Sequence, residues 1–191
     1  MKESMSTNPA RECAQALIAA FEAHAGDHAR LRDAIREAMR PLMERRDLEA
    51  LGVKRQGNFV TNSKFLYYDG GLEMTLNEMP PGKRFPAHDH GTCEALLIYG
   101  GRLAHTVYER TDHGEQDGKA TLRVIEDGVL ERGDMTLMMP PVEIHSFEAL
   151  TPGTFVLTVV HGGMKADRHF YRPDGTYTVG SPPSVMERAA G

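Results

Sequence analysis

The chain has 191 residues, a formal net charge of −5 and 40% hydrophobic residues, which is ordinary for a globular protein with a sizeable core. The acidic balance argues against nucleic acid as a partner, since phosphate binding calls for a basic surface. The sequence shows no apolar run long enough to cross a bilayer and no signal-peptide core, and its two cysteines are too few for a disulfide framework. We therefore expect a reduced, cytoplasmic protein without a membrane partner.

The first fifty residues predict two helices. Asn8 followed by Pro9 is typical of an N-cap with proline at the first helical position, and apolar residues then recur at helical spacing. Asp27 predicts the start of a second helix, which Pro41 should kink or restart. Each helix has one apolar stripe, so both should pack on the outside of the structure that the rest of the chain forms. We expect this helical segment to cover residues 1–52.

From about residue 57 the pattern changes to short strand-like runs separated by glycine and proline turns. The predicted strands are 65–68, 72–77, 94–99, 102–109, 120–126, 135–139, 144–149 and 154–160. Because no long helical pattern interrupts them, they indicate a mainly β sandwich or barrel rather than a parallel sheet with crossover helices. Residues 111–119 are polar and predict a surface loop. We expect a barrel over 53–191 that forms one compact domain with the helices.

A cluster of candidate metal ligands lies in the first half of the predicted barrel. His88 and His90 are two residues apart, so in an extended strand both imidazoles point to the same face and can meet one ion. Glu94 follows after a short bend and can return its carboxylate to the same point. In the second half, a glycine turn, an apolar strand and a proline bend precede His145. These four residues are predicted to bind a divalent metal.

The spacing of these residues resembles the cupin superfamily. Residues 82–101 match the first cupin motif, Gly-x5-His-x-His-x3–4-Glu-x6-Gly. In the second motif the Pro140-to-His145 spacing fits, while the glycine lies one residue too far upstream and Ala149 stands where cupins often have asparagine. The resemblance implies a cupin double-stranded β-helix, or jelly-roll barrel, with the N-terminal helices packed outside it.

The longer context is similar to the bacterial thiol dioxygenases of the cysteine dioxygenase and 3-mercaptopropionate dioxygenase family, over roughly residues 57–172. The similar segments are 65–71, 80–92, 107–112, 133–135 and 140–147. Membership would imply an Fe(2+) ion held by His88, His90 and His145, with open positions for a substrate thiolate and O2. Nickel, zinc and manganese are the other ions that we consider for this site.

Three departures from that family concern the other candidate site residues. Glu94 stands where thiol dioxygenases normally have a non-ligand, so it is expected as a fourth ligand or as a base beside the metal. His161 could replace one member of the family's Ser-His-Tyr arrangement. Lys64 or Arg55 could bind the substrate carboxylate. We therefore treat Glu94, His161 and Lys64 as the candidate catalytic residues.

Three functions remain open at this point. The first is an iron-dependent cupin dioxygenase that oxidises a small thiol, such as cysteine or 3-mercaptopropionate, with O2. The second is a three-His-one-Glu cupin enzyme that acts on another small organic acid or a diketone, and the third is a non-catalytic cupin that binds a small ligand. We expect a monomer or a homodimer. His105 and Tyr108 lie on opposite faces of one predicted strand, so at most one of them lines the cavity.

Overall fold

The computed structural model describes residues 8–55 and 62–180; the remainder of the predicted segments 1–52 and 53–191 lies outside the described residues. The elements in chain order are α1 (Pro9–Ala23), α2 (His28–Met43), a 3₁₀ turn (Leu48–Ala50), β1 (Val53–Lys54), β2 (Asn62–Tyr68), β3 (Leu72–Met79), β4 (Arg84–His88), β5 (Cys93–Gly100), β6 (Arg102–Arg110), β7 (Leu122–Glu131), β8 (Met135–Met138), β9 (Ile144–Ala149), β10 (Thr154–His161), β11 (Arg168–Tyr171) and β12 (Tyr177–Gly180).

The strands form two six-stranded sheets whose neighbouring strands run antiparallel. The first sheet has the order β1-β2-β3-β10-β5-β8, and the second has the order β12-β11-β4-β9-β6-β7. Strands distant in sequence therefore lie side by side, as in a jelly roll. The mainly β fold predicted from the sequence is confirmed. One consequence for the site is that His88 in β4 lies directly opposite His145 in β9.

An apolar core fills the space between the two sheets. Its buried members from the first sheet include Leu96, Ile98 and Val156, and those from the second include Phe85 and Phe147. The two phenylalanine rings stack with centroids 4.5 Å apart. Fully burying a side chain of this size stabilises the fold by roughly 1.5–3 kcal/mol. This core closes the barrel on one side of the histidine cluster.

The two helices cover the outer face of the first sheet, as predicted. Asn8 accepts hydrogen bonds from the backbone N–H groups of residues 10 and 11 and caps α1, with Pro9 at its first position. The inner stripes of both helices join one buried cluster with alternate residues of β3, β5 and β10. The restart predicted at Pro41 is not seen. Pro41 lies in the last turn of α2, which continues as one helix to Met43. The first sheet is therefore packed on both faces.

The chain forms strands that the sequence pattern did not predict. The strand predicted to end at residue 126 continues as β7, where Asp127 and Gly128 still pair with Thr106 and His105 of β6. The hairpin β11–β12 was not predicted either, and β11 pairs with β4 beside the histidines. Residues 111–119 form the predicted loop. Among the described residues, no helix is both long enough and apolar enough to cross a membrane.

Candidate metal centre

Three histidine side chains converge between the two sheets. Among the described residues, the set of potential ligands whose ligand atoms all lie within 4.8 Å of one another consists of His88, His90 and His145. Each is at most 4% exposed. The Nε2 atoms of His90 and His145 are 3.2 Å apart. Two nitrogens that each lie about 2.1 Å from one ion are separated by roughly this distance, so the spacing fits a shared metal.

Hydrogen bonds on the far side of two rings decide which nitrogen faces the cluster. Nδ1 of His88 lies 2.8 Å from the carbonyl oxygen of Pro86. A carbonyl only accepts, so Nδ1 carries the proton and Nε2 keeps its lone pair. Nδ1 of His145 lies 3.0 Å from Nε2 of His105, which leaves Nε2 of His145 on the side of His90. Partners of this kind fix the orientation of metal-binding imidazoles.

Burial keeps these imidazoles neutral. It lowers the pKa of His88 to about 4, against the opposing effect of the hydrogen bond to Pro86. It also lowers the pKa of His105 to about 4. The pKa values of His90 and His145 lie well below the ordinary value, mainly because of burial and secondarily because of the neighbouring histidines. Neutral imidazole is the form that binds metals, so the cluster is ready for an ion at pH 7.

Glu94 lies beside two of the three histidines and is 4% exposed. Its Oε2 is 3.0 Å from Nδ1 of His90 and 3.5 Å from Nε2 of His145. The 3.0 Å contact lacks hydrogen-bond geometry, so neither Nδ1 of His90 nor Oε2 of Glu94 has a hydrogen-bond partner among the described residues. Burial raises the pKa of Glu94 to about 8, while the Arg168 guanidinium opposes this shift. Unpartnered buried polar atoms beside three neutral imidazoles are what a bound cation would satisfy, so the residues fit a metal.

Arg168 adds a positive charge at the same end of the barrel and was not found from the sequence. Arg168 and Phe170 alternate along β11, and the Phe170 ring stacks on His88 with centroids 5.7 Å apart. The Nε of Arg168 is buried and has no hydrogen-bond partner within the described part of the chain. Burial lowers the pKa of this guanidinium, and the Glu94 carboxylate opposes that effect. Its Nη2 donates to Sδ of Met164, a neutral acceptor, so the buried guanidinium favours an anionic ligand.

Asp89 ties the hairpin that carries Arg168 to the ligand segment. It lies between His88 and His90, so its side chain points away from both imidazoles. Oδ1 of Asp89 accepts a hydrogen bond of 2.8 Å from the backbone N–H of His169, and Oδ2 lies 2.6 Å from Nδ1 of the same histidine. The position of Arg168 is therefore coupled to that of the histidine cluster.

The structure does not bring Lys64 or His161 to the histidine cluster. The Lys64 ammonium donates to the backbone carbonyl of Glu49. The His161 ring stacks on Phe21 of α1, with centroids 4.0 Å apart and planes at 8°. This contact requires His161 to point outward from β10 towards the helices. Neither residue is therefore assigned a role in the chemistry of the site.

Arg55, the other candidate for the substrate carboxylate, pairs with Glu73 at 2.9 Å. Of the two residues on β6, His105 joins the cluster, whereas the Tyr108 hydroxyl contacts Ser146 at 3.0 Å. Ser146 follows His145 directly, so Tyr108 lies on the opposite face of the second sheet. The prediction that at most one of the pair lines the interior agrees with this geometry.

Comparisons with known proteins gave structural matches only. Neither protein-family models nor curated proteins match the sequence. The fold is similar to KdgF from Halomonas sp., with a TM-score of 0.42 and 15% identity over 57% of this chain and 86% of that one. It is similar to an RmlC-like cupin from Shewanella frigidimarina, with a TM-score of 0.44 and 15% identity over 59% and 85%.

A third similar structure is hydroquinone 1,2-dioxygenase PnpCD in complex with Cd2+ and 4-hydroxybenzonitrile, with a TM-score of 0.43 and 14% identity over 56% of this chain and 68% of that one. These proteins are similar to this chain in fold, and none of the likenesses specifies a reaction. The described residues form a mainly β fold, with two antiparallel sheets, two N-terminal helices and a three-histidine cluster between the sheets.

Proposed function

We propose that this chain is an iron-dependent dioxygenase that oxidises a small thiol carrying a carboxylate, such as 3-mercaptopropionate or cysteine, with O2. The observation that carries the proposal is the convergence of three buried, neutral imidazoles within 4.8 Å. Imidazole is a good ligand for ferrous iron, and three protein ligands leave further coordination positions for substrate and oxygen.

His88, His90 and His145 would hold the ion. When bound, the ferrous ion would supply adjacent positions where a thiolate and dioxygen can meet. The protein fixes the ligands and excludes water around them. The Phe147 ring lies 6.1 Å from the ring of His88 and 5.4 Å from that of His145, measured between centroids. This apolar ring keeps water away from the cluster on the closed side of the barrel.

Arg168 would bind the carboxylate of the substrate. Its guanidinium offers a planar pair of donors that matches a carboxylate, and its Nε lacks a partner among the described residues. Arg55 is less suited to this task because Glu73 already neutralises it. A substrate held at one end by Arg168 and at the other by the metal would be oriented before reaction, which favours small ω-mercapto acids.

A second candidate function rests on the position of Glu94. Its Oε2 lies 3.5 Å from Nε2 of His145 and 3.0 Å from Nδ1 of His90. If turned towards a bound ion, this carboxylate would be a fourth ligand. An anionic ligand would partly neutralise the ion and occupy a position that thiolate and O2 would need. The site would then suit another small organic acid or a diketone.

The test uses protein purified without oxygen and analysed for bound metal. Oxygen uptake is then measured with 3-mercaptopropionate, cysteine and cysteamine, of which cysteamine lacks a carboxylate. We expect bound iron and uptake with the two acids. Iron-loaded protein that consumes no O2 with any thiol would refute the thiol dioxygenase, and turnover of a diketone would then favour the second candidate.

Two arginine variants test the substrate class. Arg168→Met should raise KM for 3-mercaptopropionate roughly 10- to 100-fold, since a hydrogen bond to a charged group contributes about 1.5–3 kcal/mol, and should leave any activity on cysteamine unchanged. Arg172→Met is the matched control, because Arg172 follows β11 in the same hairpin and its guanidinium contacts Thr176. Equal effects of the two variants would contradict the role of Arg168.

A further inference from the structure

One buried carboxylate connects the two segments that carry the metal ligands. Glu143 lies in the bend before β9 and is 8% exposed. Its Oε2 accepts three hydrogen bonds from consecutive backbone N–H groups, those of His90 at 3.1 Å, Gly91 at 2.5 Å and Thr92 at 3.1 Å. All three donors lie more than 50 residues away in sequence. The carboxylate therefore closes a long-range connection at the site.

The turn that receives this carboxylate needs an acceptor. After β4 ends at His88, the chain reverses before β5, and residues 90–92 make no strand pairing that would satisfy their N–H groups. Gly91 has φ +72°, a left-handed conformation that lets successive N–H groups point into one concavity. A buried N–H group without a partner is costly, so an anionic side chain stabilises this turn.

Each end of this connection lies beside one histidine of the cluster. The turn begins with His90 itself, and Glu143 precedes His145 by two residues. The rings of His90 and His145 meet at 3.2 Å between their Nε2 atoms. Elsewhere the turn is held by the backbone N–H of Lys165, which donates to the carbonyl of His90 at 3.0 Å. Displacement of the turn would move the His90 ring away from His145.

We propose that Glu143 is a positioning residue of the metal centre, which sets the separation of His90 and His145 without binding the ion. This inference rests on the proposed function, because it concerns the same three-histidine site. A purely structural residue would change the free energy of unfolding alone. A positioning residue also changes the affinity for the metal and the geometry around it.

The experiment measures Co2+ binding by competition with a chelator, the visible absorption of bound Co2+, and urea unfolding of the metal-free protein. The variants are Glu143→Gln, which removes the charge, and Glu143→Asp, which keeps the charge and shortens the reach. Glu148→Gln is the matched control, since Glu148 lies in the same strand, pairs in register with Arg84 and faces away from the cluster.

We expect Glu143→Gln and Glu143→Asp to weaken Co2+ binding by roughly 10- to 100-fold and to change the absorption spectrum, as loss of a partner of a metal ligand does. Glu148→Gln should bind Co2+ like the wild type. If Glu143→Gln fails to fold, Glu143→Asp decides alone. Folded Glu143 variants with wild-type affinity and spectrum would overturn this inference only. Wild-type protein that binds neither Co2+ nor Fe2+ would refute the proposed function and this inference together.

Discussion

Replacing Glu94 with glutamine should make the metal-free protein more stable at neutral and alkaline pH. Burial raises the pKa of Glu94 from the ordinary 4.5 to about 8. Between these values the unfolded chain ionises Glu94 while the folded protein keeps it protonated. The folded state thus binds more protons, so the free energy of unfolding falls as pH rises, by at most about 1.4 kcal/mol per pH unit.

For the wild type, this one group should remove roughly 3 kcal/mol of stability between pH 5 and pH 8. Glu94→Gln cannot ionise and should escape that loss. The buried histidines titrate in both proteins and cancel in the difference. The assay is urea unfolding of chelator-treated wild type and variant at half-unit steps of pH. A difference in unfolding free energy that stays constant from pH 5 to pH 8 would refute the argument.

The same pair of proteins decides whether Glu94 binds the ion. With a pKa of about 8, Glu94 is mostly protonated at pH 7 before metal binding. A ligating carboxylate must lose its proton, so binding of a divalent ion should release roughly one proton more from the wild type than from the variant. Proton release measured in weakly buffered solution checks this. Equal release would show that Glu94 stays outside the coordination sphere.

Three further predictions concern the ligand environment and the core. His105→Phe removes the partner of His145 and should weaken metal binding about 10- to 100-fold in a chelator competition; an unchanged affinity would contradict the role of that hydrogen bond. Phe147→Ala should cost about 3–5 kcal/mol in urea unfolding, and a loss below about 1 kcal/mol would show that the interior is not closed there. Because burial lowers the pKa of His88 to about 4, the metal-free Glu94→Gln protein should lose stability as pH falls from about 6.5 towards 4; a flat profile in that window would contradict the burial.

The sequence was informative wherever one local pattern determined the structure. Alternation along an extended chain predicted that His88 and His90 share a face, and they converge with His145. The caps of both helices were equally local, since Asn8 and Asp27 accept hydrogen bonds from the next few backbone N–H groups. These features depend only on neighbours within a few residues, so the local residue types are sufficient to predict them.

Contacts between distant segments could not be predicted in this way. Arg168 approaches the histidines only because β11 pairs with β4, some eighty residues earlier, and no periodicity in its short strand marks that partner. Glu143 is a glutamate in a proline bend, and nothing nearby in sequence indicates that it faces the turn at 90–92. The outward direction of His161 depends on the strand's register beneath α1. Each of these positions depends on contacts between segments that are distant in sequence, and no local pattern in the sequence marks those contacts.

The placement of Asp89 between two ligands has an evolutionary consequence. Through His169 it fastens the hairpin that carries Arg168, while the residues on either side of it face the interior. The histidine cluster and Arg168 are therefore structurally coupled, so selection cannot alter one of them independently of the other. Inserting or deleting one residue between His88 and His90 would misalign the ligands and release the hairpin in the same event.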